Sequence, residues 1–166
     1  MAVDSFKFLP KSFRPMFENI VVDVDGAVWA PLDKPLAEAR IAVLSSAGVF
    51  LRDTQESFDM DRERREPAWG DPSWRPIPRD VAQHRVDAAH LHINTEHVRK
   101  DVGVAFGFRA FASLEADGVI GSLAEENYSV MGFQKAGCQV WQATTGPEIA
   151  IRLRDAAVDA LVLAPA

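Results

Sequence analysis

The chain has 166 residues, 48% hydrophobic and 25% charged, a globular balance that excludes a disordered, collagen-like or coiled-coil protein. A surplus of 24 Asp and Glu over 18 Lys and Arg, net −6, excludes wholesale tracking of a nucleic-acid backbone. The single cysteine, Cys138, excludes an intrachain disulfide and a cysteine-based zinc site and suits a reducing cytoplasm. No apolar run approaches the roughly 20 residues that span a bilayer, and the N-terminus lacks a signal-peptide pattern. A soluble, cytoplasmic protein is expected, acting without membrane or nucleic acid.

In chain order, residues 1–28 read as an N-terminal arm leading into a first strand, Ile20-Val21-Val22-Asp23-Val24, and residues 29–166 as one α/β domain. A second strand, Arg40-Ile41-Ala42-Val43-Leu44, stops at Ser45-Ser46-Ala47-Gly48, the pattern of a strand opening into a small-residue crest loop. Residues 53–78, rich in turn formers and charges and carrying Trp69 and Trp74, read as a long central flap; connections of that length are more often functional or mobile than decorative. Alternation over Ala88-Ala89-His90-Leu91-His92-Ile93 predicts a short strand. Phe108, Phe111 and Leu114 predict a helix over 108–117 ending at Gly118. A second helix is expected over 149–157, entered through Pro147. The closing run Val158-Asp159-Ala160-Leu161-Val162-Leu163-Ala164 reads as a parallel strand buried on both faces. Strands alternating with helices predict an α/β fold with a mainly parallel, Rossmann-like sheet flanked by helices.

Several constellations carry chemical possibilities beside plainer readings. Asp23-Val24-Asp25-Gly26 locally resembles the opening motif of haloacid-dehalogenase-type phosphatases, but no acidic pair follows a later strand, and two aspartates bounding a strand and its turn are the preferred reading. His90 and His92, two apart on a strand, would share a face and could grip a divalent metal, with Glu96, His97, Asp101 or Asp71 completing the set. The plain alternative is a hydrogen-bonding pair at a cleft edge. Ser45 and Ser46 either cradle an anion or make a tight turn. Arg75 either clamps a carboxylate or pairs within the flap. Tyr128, the only tyrosine, either donates a proton or is a buried ring with one partner. Cys138 has no neighbouring base and reads as an inert small residue.

From Trp29-Ala30-Pro31-Leu32 through Leu44-Ser45-Ser46-Ala47-Gly48-Val49, Gly70-Asp71-Pro72-Ser73-Trp74-Arg75-Pro76-Ile77-Pro78, His90-Leu91-His92, Asp101, Gly118-Val119-Ile120-Gly121-Ser122 and Tyr128-Ser129-Val130-Met131-Gly132, the chain resembles the selenoprotein B family of glycine, sarcosine, betaine and D-proline reductases. The resemblance implies an α/β reductase domain in which a selenol or thiolate attacks the carbon beside a substrate carboxylate and expels an amine. It also implies that the reactive Cys or Sec follows the strand matching Ala160–Ala166, so this chain reads as a short form ending before it; Cys138 is not in that position. The expectation is a protein binding a small, amino-acid-like carboxylate, with His90, His92 and Tyr128 as the chemical centre, Ser45, Ser46, Arg75 and Ser122 as the substrate wall, and a divalent metal on His90 and His92 as the candidate cofactor. The alternative is a non-catalytic ligand-binding domain, or one subunit of a split reductase whose partner chain carries the missing segment. Homo-oligomerisation would be one way to cover the apolar last strand.

Overall fold

Strand β1 (Arg40–Ser45) is the spine of the sheet in a computed structural model of the chain, which describes residues 11–12, 15, 30–134 and 137–166. The expected strand at Ile20 to Val24, with Asp23 and Asp25, lies outside the described residues. The chain divides into units 1–31 and 32–166, and the sheet lies in the second. The sequence places β-branched and aliphatic residues at Ile41, Val43 and Leu44, and Ala39, Ile41, Ala42 and Val43 are all buried.

On one side β1 pairs in parallel with β7 (Ala160–Ala164), from Ile41 opposite Ala160 to Ser45 opposite Ala164. Its other side is shared by two short parallel partners, β5 (Ser122–Leu123) and β6 (Glu126–Val130). Arg40 faces Ser122 while Leu44 faces Tyr128, so two extra residues loop out between β5 and β6. The side chain of Asn127 fills the gap in the ladder. Its Oδ1 accepts from Val43 N at 2.9 Å and its Nδ2 donates to Ala124 O at 3.2 Å, with no exposure to solvent. Beyond β6 runs the antiparallel β3 (Trp74–Pro78). Strand β2 (Val49–Leu51) pairs antiparallel with β4 (Val86–Ala88) in a separate ribbon. The sheet is therefore mainly parallel, as expected of an α/β domain.

Between β2 and β3 the charged segment is only partly loop, because Met60–Arg65 forms a short helix, α1, with Asp59 accepting from Arg62 N as its N-cap. Helices α2 (Glu96–Lys100), α3 (Gly103–Phe106) and α4 (Phe108–Ala116) follow β4. Val98, Phe106 and Phe108 pack with Val43, Leu51 and Val86 in the main core. The helix predicted over 108–117 is thus present, and it ends as expected at Gly118, where Val119 N donates to Leu114 O and Gly118 N to Glu115 O. Helix α5 (Gly146–Asp155), led by the π-helical turn Trp141–Thr145, starts three residues earlier than expected and covers the opposite sheet face, where Ile149 meets Tyr128 and Val130.

Two expectations need correction. Strand β4 ends at Ala88, so the alternating residues 89–93 are a bend. The last strand is not buried on both faces: Val162 is 39% and Leu163 66% exposed, because β1 is its neighbour on one side and no described strand lies on the other.

Replacing Asn127 with Ala should cost about 2–3 kcal/mol, since it strips a buried backbone donor of its acceptor and opens a small void. A urea midpoint that gives the variant a stability loss below about 0.5 kcal/mol would show that the bridge is dispensable.

Candidate functional site

At the carboxyl end of β1 the small residues Ser45-Ser46-Ala47-Gly48 let other segments approach the backbone. Gly48 adopts φ +63°, and a Cβ there would sit 2.2 Å from Ala89 O. Gly48 N donates to Val130 O and Gly48 O accepts from Ala89 N, tying the crest to β6 and to the stretch that carries His90. Ligands of open α/β sheets bind at such strand ends.

A cavity of about 240 Å³ opens at the carboxyl ends of β1 and β7. Val98, Ala105 and Ala164 give it an apolar floor, and Ser45, Asn94 and His97 bring polar groups to it. Ser45 Oγ accepts from Ala47 N at 3.3 Å, which leaves its hydroxyl proton to donate. Asn94 Oδ1 accepts from Glu96 N, which leaves its Nδ2 protons available. Asn94 is a residue that sequence reasoning missed, and His97 figured only as one option for a third metal ligand; once the strand at 89–93 is replaced by a bend, both fall beside the crest. A larger hollow of about 580 Å³ is lined by Arg79, Lys100, Asp101 and Arg109. There Arg79 is spent on Glu115 and Leu123 O, and Arg109 on Asp101, so we place the candidate site at the crest.

His90 and His92 do meet, but not as two residues on one strand face. His92 N donates to His90 Nδ1 at 3.0 Å, and the rings cross at 81° with centroids 5.8 Å apart. His90 is buried and His92 exposed, the latter 5.2 Å from the Phe133 ring. Burial, then the neighbouring His92, lowers the His90 pKa below its usual 6.5, which keeps the ring neutral at pH 7. His90 Nδ1 is engaged by His92 N, and among the described residues no group of three His, Cys, Asp or Glu is placed to hold an ion.

The other expected residues are dispersed. Ser46 Oγ accepts from Ala166 N beside the cavity. Ser122 lies at the opposite end of β1, where its Oγ accepts from Arg40 Nε. The Arg75 guanidinium donates to Glu56 O, Ser57 O, Trp74 O and Ser73 Oγ and lies 4.4 Å over the Phe58 ring. It staples the base of the 52–73 segment. Tyr128 points to the α5 face, packed edge-on against Trp74. Burial, and then its bond with Glu126, push its pKa up to about 12, so it holds its proton at neutral pH. Cys138 is exposed.

One buried acid was not legible in the charged run 59–66. Glu63 is 3% exposed, and neither carboxylate oxygen has a hydrogen-bond partner. Burial raises its pKa, opposed by His92 and reinforced by Asp71.

No family model matches the sequence, and no solved structure matches it. Among curated proteins, 137 residues are 31% identical to D-proline reductase subunit gamma of Acetoanaerobium sticklandii. That similarity supports a distant relationship to this reductase subunit. The match covers 82% of this chain and 52% of that subunit, so the chain spans about half the length of its relative. No helix among the described residues is long and apolar enough to cross a membrane.

Two measurements check this site. Arg75→Ala should destabilise the protein by about 1–3 kcal/mol, because several charge-assisted bonds go at once; a melting temperature equal to wild type would instead return Arg75 to the substrate wall. Because Tyr128 is the only tyrosine, an ultraviolet titration of the tyrosinate band reads it alone. A group whose folded pKa is raised contributes stability below its unfolded value of 10 that is lost as pH climbs toward 12. The ionisation should therefore come near 12 or together with unfolding, and a midpoint at 10 in folded protein would mean that solvent reaches the ring.

Proposed function

We propose that this chain is the substrate-handling part of a reductase of the proline and glycine reductase type, binding a small amino-acid-like carboxylate at the crest cavity. The redox thiol or selenol comes from another polypeptide segment. The observation that carries this reading is the crest cavity itself, in a chain 31% identical to a D-proline reductase subunit.

About 240 Å³ accommodates a free amino acid and little more. Ser45 Oγ, Asn94 Nδ2 and the His97 ring supply donors for a carboxylate, while Val98, Ala105 and Ala164 receive the carbon skeleton. Hydrogen-bond donors around a small apolar floor suit orientation of a substrate. The His90 to His92 turn leads into Ile93 and Asn94, which line the cavity, and the neutral His90 fixes the backbone of that turn through Nδ1. The partner reading is supported by the relative, which is by name one subunit of a reductase. Cys138 lies just before the turn that leads α5 and is not among the residues that line the cavity, so the redox residue is assigned elsewhere.

Calorimetric titration with D-proline, glycine, sarcosine and betaine tests the proposal. At least one should bind, and His97→Ala should weaken that ligand by roughly tenfold, the loss of one charge-assisted hydrogen bond. Absence of binding by all four, or an unchanged affinity in both His97→Ala and Asn94→Ala, would overturn it.

A further inference from the structure

We propose that the 52–73 segment is a lid over the His90 to His92 turn and that the proton on Glu63 is its latch. The lid closes with Glu63 as a neutral acid and is loosened when Glu63 ionises. The latch works in the same way whichever ligand the crest cavity takes.

Helix α1 sets the geometry. Residues three apart on a helix share a face, so Met60 and Glu63 point the same way, and Met60 packs with Phe58 against Ala89 and Met131. Glu63 is thereby pressed toward the turn that follows Ala89 and the 131–134 stretch. It is only 3% exposed there, and both carboxylate oxygens are unpartnered. The charged groups that act on it are His92 from the turn and Asp71 from the return of the lid, while residues 131–134 (Met, Gly, Phe, Gln) carry no ionisable group. Asp71 is itself saturated by Asp59 N, Ser73 N and Ser73 Oγ, so it offers Glu63 a like charge and no donor.

A carboxylate in such a place costs far more as an anion than as an acid. The lid around it is otherwise built to move as a unit. The Arg62 guanidinium joins Glu66 and lies 4.3 Å over Trp69, and Arg75 holds the base. The tip meets the 131–134 shelf where Gln134 Nε2 donates to Asp71 O at 3.1 Å and Gly70 approaches so closely that a Cβ would lie 1.6 Å from Phe133 O. At its return Thr145 Oγ1 donates to Pro72 O at 2.6 Å, so the tip hinges there.

In the closed lid the pKa of Glu63 is raised above its ordinary 4.5, so closure is fully supported below 4.5 and loses support as pH rises through the closed-state value. Hydrogen exchange of the 59–66 amides, corrected for intrinsic base catalysis, reads the opening equilibrium. In wild type it should rise with pH above 4.5, by up to about tenfold per pH unit, and then level off. In Glu63→Gln, which mimics the neutral acid, it should stay flat. Equal pH dependence in the two proteins would overturn the proposal. Should the variant fail to fold, infrared spectra of wild type with isotope-labelled glutamate decide the matter: a protonated glutamate band that titrates above the ordinary 4.5 supports the latch, and titration of every glutamate at or below 4.5 overturns it.

Discussion

Strand β1 needs a hydrogen-bond acceptor for Val43 N at the point where its neighbour is interrupted, and that need shapes much of the domain. Between β5 and β6 the chain makes two residues more than the ladder can use, and Asn127 returns the missing rung with its amide. Because the amide is wholly buried, its donor and acceptor must both be satisfied, and they are. The same strand repeats the device two residues on, where Ser129 Oγ accepts from Val49 N at 2.7 Å. Through these two side chains β6 is fixed to β1 and to the start of β2, which sets the height of the crest where Gly48, Ala89 and Met131 meet.

The polar residues of β6 explain why that strand was hard to read. Glu-Asn-Tyr-Ser-Val does not look like a buried strand, yet Asn127, Tyr128, Ser129 and Val130 are all buried, because backbone donors outside their own ladder satisfy the amide and the hydroxyl. β3 was hidden for a different reason. Its Pro76 and Pro78 argue against a central strand, and it is an edge strand, paired with β6 alone, where the missing N–H groups cost nothing. By contrast β1, α4 and β7 were legible, since aliphatic runs and helical spacing are local signals.

The candidate site was legible in its location and less so in its membership. A small-residue turn after a parallel strand pointed to Ser45 and Ser46, and the cavity is there. Alternation at 88–93 misled, because a two-residue period arises equally in a bend that closes on itself through His92 N and His90 Nδ1. Arg75 and Tyr128 have the right chemistry on the wrong face or already engaged, which no one-dimensional pattern reveals. Glu63 sits among six charged residues of similar type in 61–66, and burial singles it out only once α1 is folded onto Ala89 and Met131.

The excess between β5 and β6 is two residues, and its parity matters more than its size. Side chains alternate across a pleat, so an even insertion leaves every later residue of β6 on its original face, whereas an odd one would exchange them. Gain or loss of a single residue at 124–125 would turn Asn127 and Ser129 toward α5 and press the Tyr128 ring toward Val43 and Val49. Length change in this loop is thus open to the fold in steps of two, a restriction that a surface connection between strands does not ordinarily carry.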